Sequence, residues 1–135
     1  MKCKALVLTH GNLAEAFVRA VNLIFGEVEL LQFKNLPSNF NVEQYKAEIE
    51  EILNENQETG VLVLTDLLGG SPYLSCVQII RNHWNNVELV SGCNLPMLIE
   101  IVQNIDEMSI NELKELALEV GKAGIVDFKN QKKGV

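Results

Sequence analysis

Residues 60–72 read Gly-Val-Leu-Val-Leu-Thr-Asp-Leu-Leu-Gly-Gly-Ser-Pro. The run from Gly60 to Thr65 is apolar without polar alternation, as a strand must be when both faces of its sheet are covered. Asp66 to Gly70 then break the pattern with turn residues. Ser71 and Pro72 read as the N-cap and first residue of a helix with its body at Tyr73 to Asn82, because proline there loses no hydrogen bond and presets φ. Strand, glycine-rich break and capped helix in that order form a unit of a parallel α/β sheet.

The rest of the chain repeats the unit. Lys4 to Thr9 is a second uninterrupted apolar run, whereas Glu29 to Phe33 and Val87 to Ser91 are more mixed and belong nearer the sheet edges. Between them lie segments of helical period. Ala14, Phe17, Val18, Val21, Ile24 and Phe25 line one face, with Asn12 and Glu15 as the capping signal. Asn41 to Asn56 turns Val42, Tyr45, Ile49 and Ile52 inward and leaves Glu48, Glu51 and Glu55 to water. Leu95 to Asn104 is a short apolar helix. Ser109 to Glu112 is a capping box that opens a last helix through Val120, ended by Gly121 or Gly124. The reading predicts a doubly wound, mainly parallel four-stranded sheet of order 2-1-3-4, with helices on both faces. Ile125 to Phe128 is expected to add a short C-terminal antiparallel strand. Residues 1–128 are expected to form a single domain, and residues 129–135 a polar tail.

Composition narrows the function. The 135 residues carry 11 Lys and Arg against 18 Asp and Glu, a formal charge of −7, which repels nucleic acid and anionic membrane surfaces. No apolar stretch approaches the roughly 20 residues a bilayer needs, and the N-terminus lacks the pattern of a secretory signal. A cytoplasmic protein is expected. Cys3, Cys76 and Cys93 are an odd count without metal-ligand spacing and read as reduced core filler. His83, at the end of the third helix, reads as an exposed structural residue. No cofactor and no metal is expected.

In a doubly wound sheet ligands gather beyond the carboxyl ends of the strands. Order 2-1-3-4 makes strands one and three neighbours, which brings His10 and Asp66 into one crevice. An imidazole can use one ring nitrogen as a nucleophile while the other donates to a carboxylate, which fixes the tautomer and stabilises the charge that develops. Gly11, Gly69 and Gly70 allow close backbone approach, and two helices begin just beyond, so free N–H groups and positive dipole ends face the crevice. That environment suits a phosphate-sized anion. The G-x-x-x-x-G-K-[ST] and G-x-G-x-x-G phosphate loops are missing, and two distant histidines make no metal site. A phosphorylatable histidine fits what remains.

Leu8 to Gly11, Thr65 to Pro72, Ser91 to Leu98 and Glu112 to Gly124, in that order, resemble the IIA component of the mannose-type bacterial sugar phosphotransferase system, and the likeness runs from Lys4 to Gly124. Cys93 stands where that family often has valine, and Tyr73 replaces a common phenylalanine. The resemblance implies a phosphocarrier, a phosphotransferase in which His10 accepts a phosphoryl group from the histidine phosphocarrier protein. His10 then passes it to a histidine of a separate IIB component for sugar uptake. It implies that Asp66 orients the imidazole and that Thr9, Gly11, Leu67, Gly70 and Ser71 surround the phosphate. It also implies a homodimer that exchanges its C-terminal strand and is at most peripheral to a membrane permease, with sugar choice left to the membrane components. Two alternatives stand beside it: the phosphocarrier subunit of a dihydroxyacetone kinase, and a nonenzymatic binding or regulatory module whose His10 never carries phosphate.

Overall fold

Side chains alternate across a strand, and the first strand sorts its residues into two separate cores. A computed structural model describes residues 2–82 and 86–130. In β1 (Lys4–His10) Ala5 and Val7 face one way and Leu6 and Leu8 the other, all fully buried. Ala5 and Val7 join a core built with α1 (Leu13–Phe25), α4 (Leu95–Asn104) and α5 (Ile110–Ala123), while Leu6 and Leu8 join the core of α2 (Val42–Glu55) and α3 (Ser71–Arg81). Helices therefore cover both faces. The sheet is parallel throughout, in the order β2-β1-β3-β4, with β2 at Leu31–Leu36, β3 at Val61–Thr65 and β4 at Val87–Ser91. The fold class and strand order are those read from the sequence.

Several local expectations shift for identifiable reasons. The second strand begins and ends later than Glu29 to Phe33, because its ladder to β1 continues through polar Lys34 and Asn35, opposite Leu8 and Thr9. Hydrophobicity marks which side chains are buried, not where backbone pairing stops. Gly70, not Ser71, is the N-cap of α3, so Ser71 is already helical and Pro72 fills the next position. In α2 the buried line is Tyr45, Ile49 and Leu53 at spacing four, with Val42 exposed. Ile24 and Phe25, expected inward, lie past the edge of the core and are exposed. The capping box of Ser109 and Glu112 forms, and α5 runs on to Ala123 with Gly124 as its C-cap.

The C-terminal strand expected at Ile125 to Phe128 is not formed within this chain. Residues 125–127 belong to no element and Phe128–Asn130 close a 3-10 turn, in which the Asn130 amide donates to the Asp127 carbonyl. Local turn bonds replace the ladder that a strand would need. Ile125 and Phe128 remain more than four-fifths exposed. Cys3, Cys76 and Cys93 are buried and free, as expected. The expectation for His83 lies outside the described residues. No described helix is long and apolar enough to cross a membrane.

Candidate functional site

Register decides what meets at the end of the sheet. Leu8 pairs with Thr65 and Thr65 with Ser91, so β1 extends His10 beyond its last pairing with β3 just where Asp66 leaves that strand. Oδ2 of Asp66 accepts two hydrogen bonds from His10, at 3.1 Å from the backbone N–H and 3.0 Å from ring Nδ1. A carboxylate can only accept, so Nδ1 is the donor, and in the neutral ring Nε2 then keeps its lone pair. Two bonds from one residue also fix the direction of the ring. The His10 side chain is 47% exposed and that of Asp66 15% exposed, which leaves the imidazole partly open to solvent and the carboxylate mostly covered.

The free edge of the imidazole lies over the N-terminus of α3. A Cβ built on Gly70 would come within 2.6 Å of His10 Cε1 and 3.2 Å of Nε2, so only glycine lets the ring lie this close. No side chain caps this helix start. Its first-turn N–H groups, Pro72 excepted, and the positive end of its dipole are thus directed at the Nε2 side of His10. Gly69, at φ +81°, supplies the left-handed turn that brings the loop around to Gly70. Among the described residues no ion pair joins a Lys or Arg to either member of the pair.

The sequence-derived site residues divide by position. His10, Asp66 and Gly70 come together; Leu67 lies exposed in the connecting loop and Ser71 begins α3. Gly11 bridges to Leu36 of β2 by a pair of backbone hydrogen bonds, which anchors the turn after His10. Thr9 is fully buried: its hydroxyl accepts from the Ala14 N–H at 2.6 Å and donates to the His10 carbonyl at 3.1 Å, so it supports the turn from beneath instead of lining the crevice. Asn35 is a residue the sequence reading missed. Its carbonyl oxygen accepts from the Glu15 N–H and its amide donates to the Glu15 carboxylate, which ties α1 to β2 beside the site. An Asn after an apolar strand is a plausible turn residue, but nothing in the sequence pairs it with Glu15.

Burial pushes the Cys93 thiol up to about 12, with the Asp66 charge adding to it. Burial raises the Cys76 thiol to about 12 as well. Both sulfurs stay protonated and inert near neutrality.

Residues 4–118 match the model of the family described as the PTS system fructose IIA component. The chain is 30% identical to the mannose-specific EIIAB component of the phosphotransferase system of Escherichia coli K12, over 96% of this chain and 40% of that protein. It thus spans about two fifths of the length of that relative. It is 27% identical to the sorbose-specific EIIA component of Lacticaseibacillus casei, over 80% of this chain and 78% of that one. Among solved structures, phosphotransferase system component EIIA from Streptococcus agalactiae superposes with a TM-score of 0.89 at 25% identity, covering 96% of this chain and 99% of the other.

Proposed function

This chain belongs to the mannose-type IIA family of the sugar phosphotransferase system, and from that premise we propose that it is a phosphocarrier with His10 as the residue that holds phosphate. The observation that carries the reading is the double use of Asp66 Oδ2, which leaves Nε2 bare above an uncapped helix N-terminus. Nε2 attacks the phosphorus of a phosphohistidine on the donor protein, in the family's case the histidine phosphocarrier protein. The donor's P–N bond breaks as the new one forms, and the freed imidazole leaves with its electron pair. No proton has to move. The positive charge that develops on the His10 ring is balanced by Asp66 through Nδ1–H. The phosphate oxygens are received by the amides of the Leu67 to Ser71 loop and the α3 N-terminus. Dipoles in place of a Lys or Arg clamp hold the group without trapping it, and onward transfer to a histidine of a IIB component is the same step reversed.

An apolar rim supports docking of other proteins over a half-exposed histidine. Leu13, Leu67, Leu68 and Leu74, all within one helical turn of the crevice or in its loop, are between 44 and 70% exposed. The exposed Ile125, Val126 and Phe128 similarly favour a homodimer that exchanges its C-terminal segment, in the cytoplasm where the donor proteins work. Light scattering of the whole chain and of a chain ending at Gly124 checks the second point: a dimer is expected for the first and a monomer for the second.

The reading is tested by incubation with phosphoenolpyruvate and the two general phosphotransferase proteins. The wild-type chain is expected to gain one acid-labile phosphate, His10→Ala none, and Asp66→Asn to gain it about tenfold more slowly or worse. A His10→Ala protein that still takes up phosphate, or an Asp66→Asn protein with unchanged rates, would remove the respective residue from the mechanism.

A further inference from the structure

The backbone of His10 is held from both sides. Its N–H donates to Asp66 Oδ2 at 3.1 Å, and its carbonyl accepts from the Thr9 hydroxyl at 3.1 Å. That hydroxyl makes a second bond, accepting from the Ala14 N–H at 2.6 Å. Thr9 is fully buried and continues the line of Ala5 and Val7, so its side chain meets the first turn of α1. Asn35, its register partner on β2, stands on the same face and accepts from the next N–H, that of Glu15, at 3.2 Å. Two strands thus cap one helix, but both side-chain bonds of Asn35 go to Glu15, whereas the Thr9 hydroxyl also reaches His10. A hydroxyl that accepts from an N–H at the positive end of a helix is polarised into a better donor, and it has one proton to give. The peptide it holds joins His10 to Gly11, where φ is +55° and nothing lies within 4 Å of where a Cβ would stand, so no side-chain packing keeps that peptide in place. Its N–H side is held by the Leu36 carbonyl at 2.8 Å and its carbonyl side by Thr9.

We infer that Thr9 is a positioning residue for phosphoryl transfer: its hydroxyl, fixed by the first turn of α1, holds the His10 carbonyl and with it the direction in which the imidazole leaves the strand. The inference rests on the phosphocarrier reading. Released from Thr9, the peptide between His10 and Gly11 turns about its remaining bond, which changes ψ of His10 and shifts the ring against Asp66 and Gly70. The 3.0 Å contact of Nδ1 with Oδ2 and the close seat over Gly70 are then held for only part of the time. Being fully buried, Thr9 acts through His10 and not on an incoming protein, so it affects the rate of transfer and not the affinity for the phosphorylated donor.

Thr9→Val removes the hydroxyl and keeps the branched shape, while Asn35→Ala removes the neighbouring cap of α1 and leaves the His10 carbonyl held. Single-turnover phosphorylation of His10 is expected to slow about tenfold in Thr9→Val, with the donor concentration at half-maximal rate unchanged, and to stay within about twofold of wild type in Asn35→Ala. Thr9→Ser keeps the hydroxyl and should recover most of the wild-type rate. Thr9→Cys, a weak donor, should fall between Thr9→Val and wild type, and it takes the place of Thr9→Val if that chain does not fold. Nitrogen NMR of the unphosphorylated imidazole should show a smaller share of the Nδ1–H tautomer in Thr9→Val and the wild-type share in Asn35→Ala. An Asn35→Ala protein as slow as Thr9→Val overturns the inference, because loss of any α1 cap would then suffice. A wild-type rate in Thr9→Val, or a Thr9→Ser protein as slow as Thr9→Val, overturns it as well. If the wild-type chain takes up no phosphate, the phosphocarrier reading falls and Thr9 is judged by the spectra alone, where identical tautomer shares in Thr9→Val and wild type count against it.

Discussion

A methyl group on Gly70 would meet His10 Cε1 at 2.6 Å, and it would meet little else. Gly70 has φ −73° and ψ 169°, a conformation any residue adopts, so backbone freedom does not explain the glycine. Room for the imidazole does. Gly70→Ala is therefore expected to leave the melting temperature within about 2 °C of wild type, since the ring is partly exposed and can swing away. Swinging away breaks the 3.0 Å contact to Asp66, and phosphoryl transfer should fall at least about tenfold. Normal transfer by Gly70→Ala would show that the ring position is not what matters. The site's two principal residues were legible in the sequence because a strand end is a fixed address: once the order 2-1-3-4 is read, His10 and Asp66 must be neighbours. Gly70 was legible only as a residue permitting close approach.

At the scale of the element, the start of α1 shows where sequence logic and structure part. Asn12 followed by Glu15 has the form of a local cap, yet the Asn12 side chain makes no capping bond. The donors are met from the strands instead, with Thr9 accepting from Ala14 and Asn35 from Glu15. A cap supplied across elements leaves no spacing signature, whereas the Ser109 and Glu112 box, confined to one turn, was read correctly. The same physics explains the strands: β1, β3 and β4 are bounded by glycines and polar breaks near their ends, while the ladder of β2 runs on through Lys34 and Asn35, whose side chains carry no strand signal. The cap assignment has a direct check. Thr9→Val keeps a β-branched side chain but leaves a buried N–H unpaired, and should cost about 2 kcal/mol in urea unfolding. Asn12→Ala should change stability by less than about 0.5 kcal/mol. The reverse order of effects would return the cap to Asn12.

For the molecule as a whole, the protons of buried acids set how stability varies with pH. Cys76 and Cys93 are raised from 9.0 to about 12, Cys3 is raised less, and the Tyr45 phenol is raised from 10.0, all mainly by burial. Each of these groups is neutral when protonated. The unfolded chain begins to release thiol protons near pH 9 and the folded chain keeps them, so above that pH the native state binds more protons than the unfolded one. Stability then falls as pH rises. It is fully present below about pH 8 and is lost progressively between about pH 9 and 12, each thiol accounting for up to about 1.4 kcal/mol per pH unit in that window. At the acid end the sign is opposite. Glu48 is held below its ordinary value by its hydrogen bond with Lys34, and Glu112 by the Ser109 backbone N–H. Glu112 is exposed and Glu48 about half so, and their contribution, present above the usual carboxylate range and lost as pH falls through it, is small. Urea unfolding at pH 7, 9, 10 and 11 is expected to show a midpoint that drops steeply only above pH 9. Cys76→Ala with Cys93→Ala should start from a lower midpoint at pH 7, because two buried side chains are trimmed, but should lose less of it by pH 11. Equal alkaline slopes in the two proteins would mean that the thiols are not the groups whose protons the fold retains.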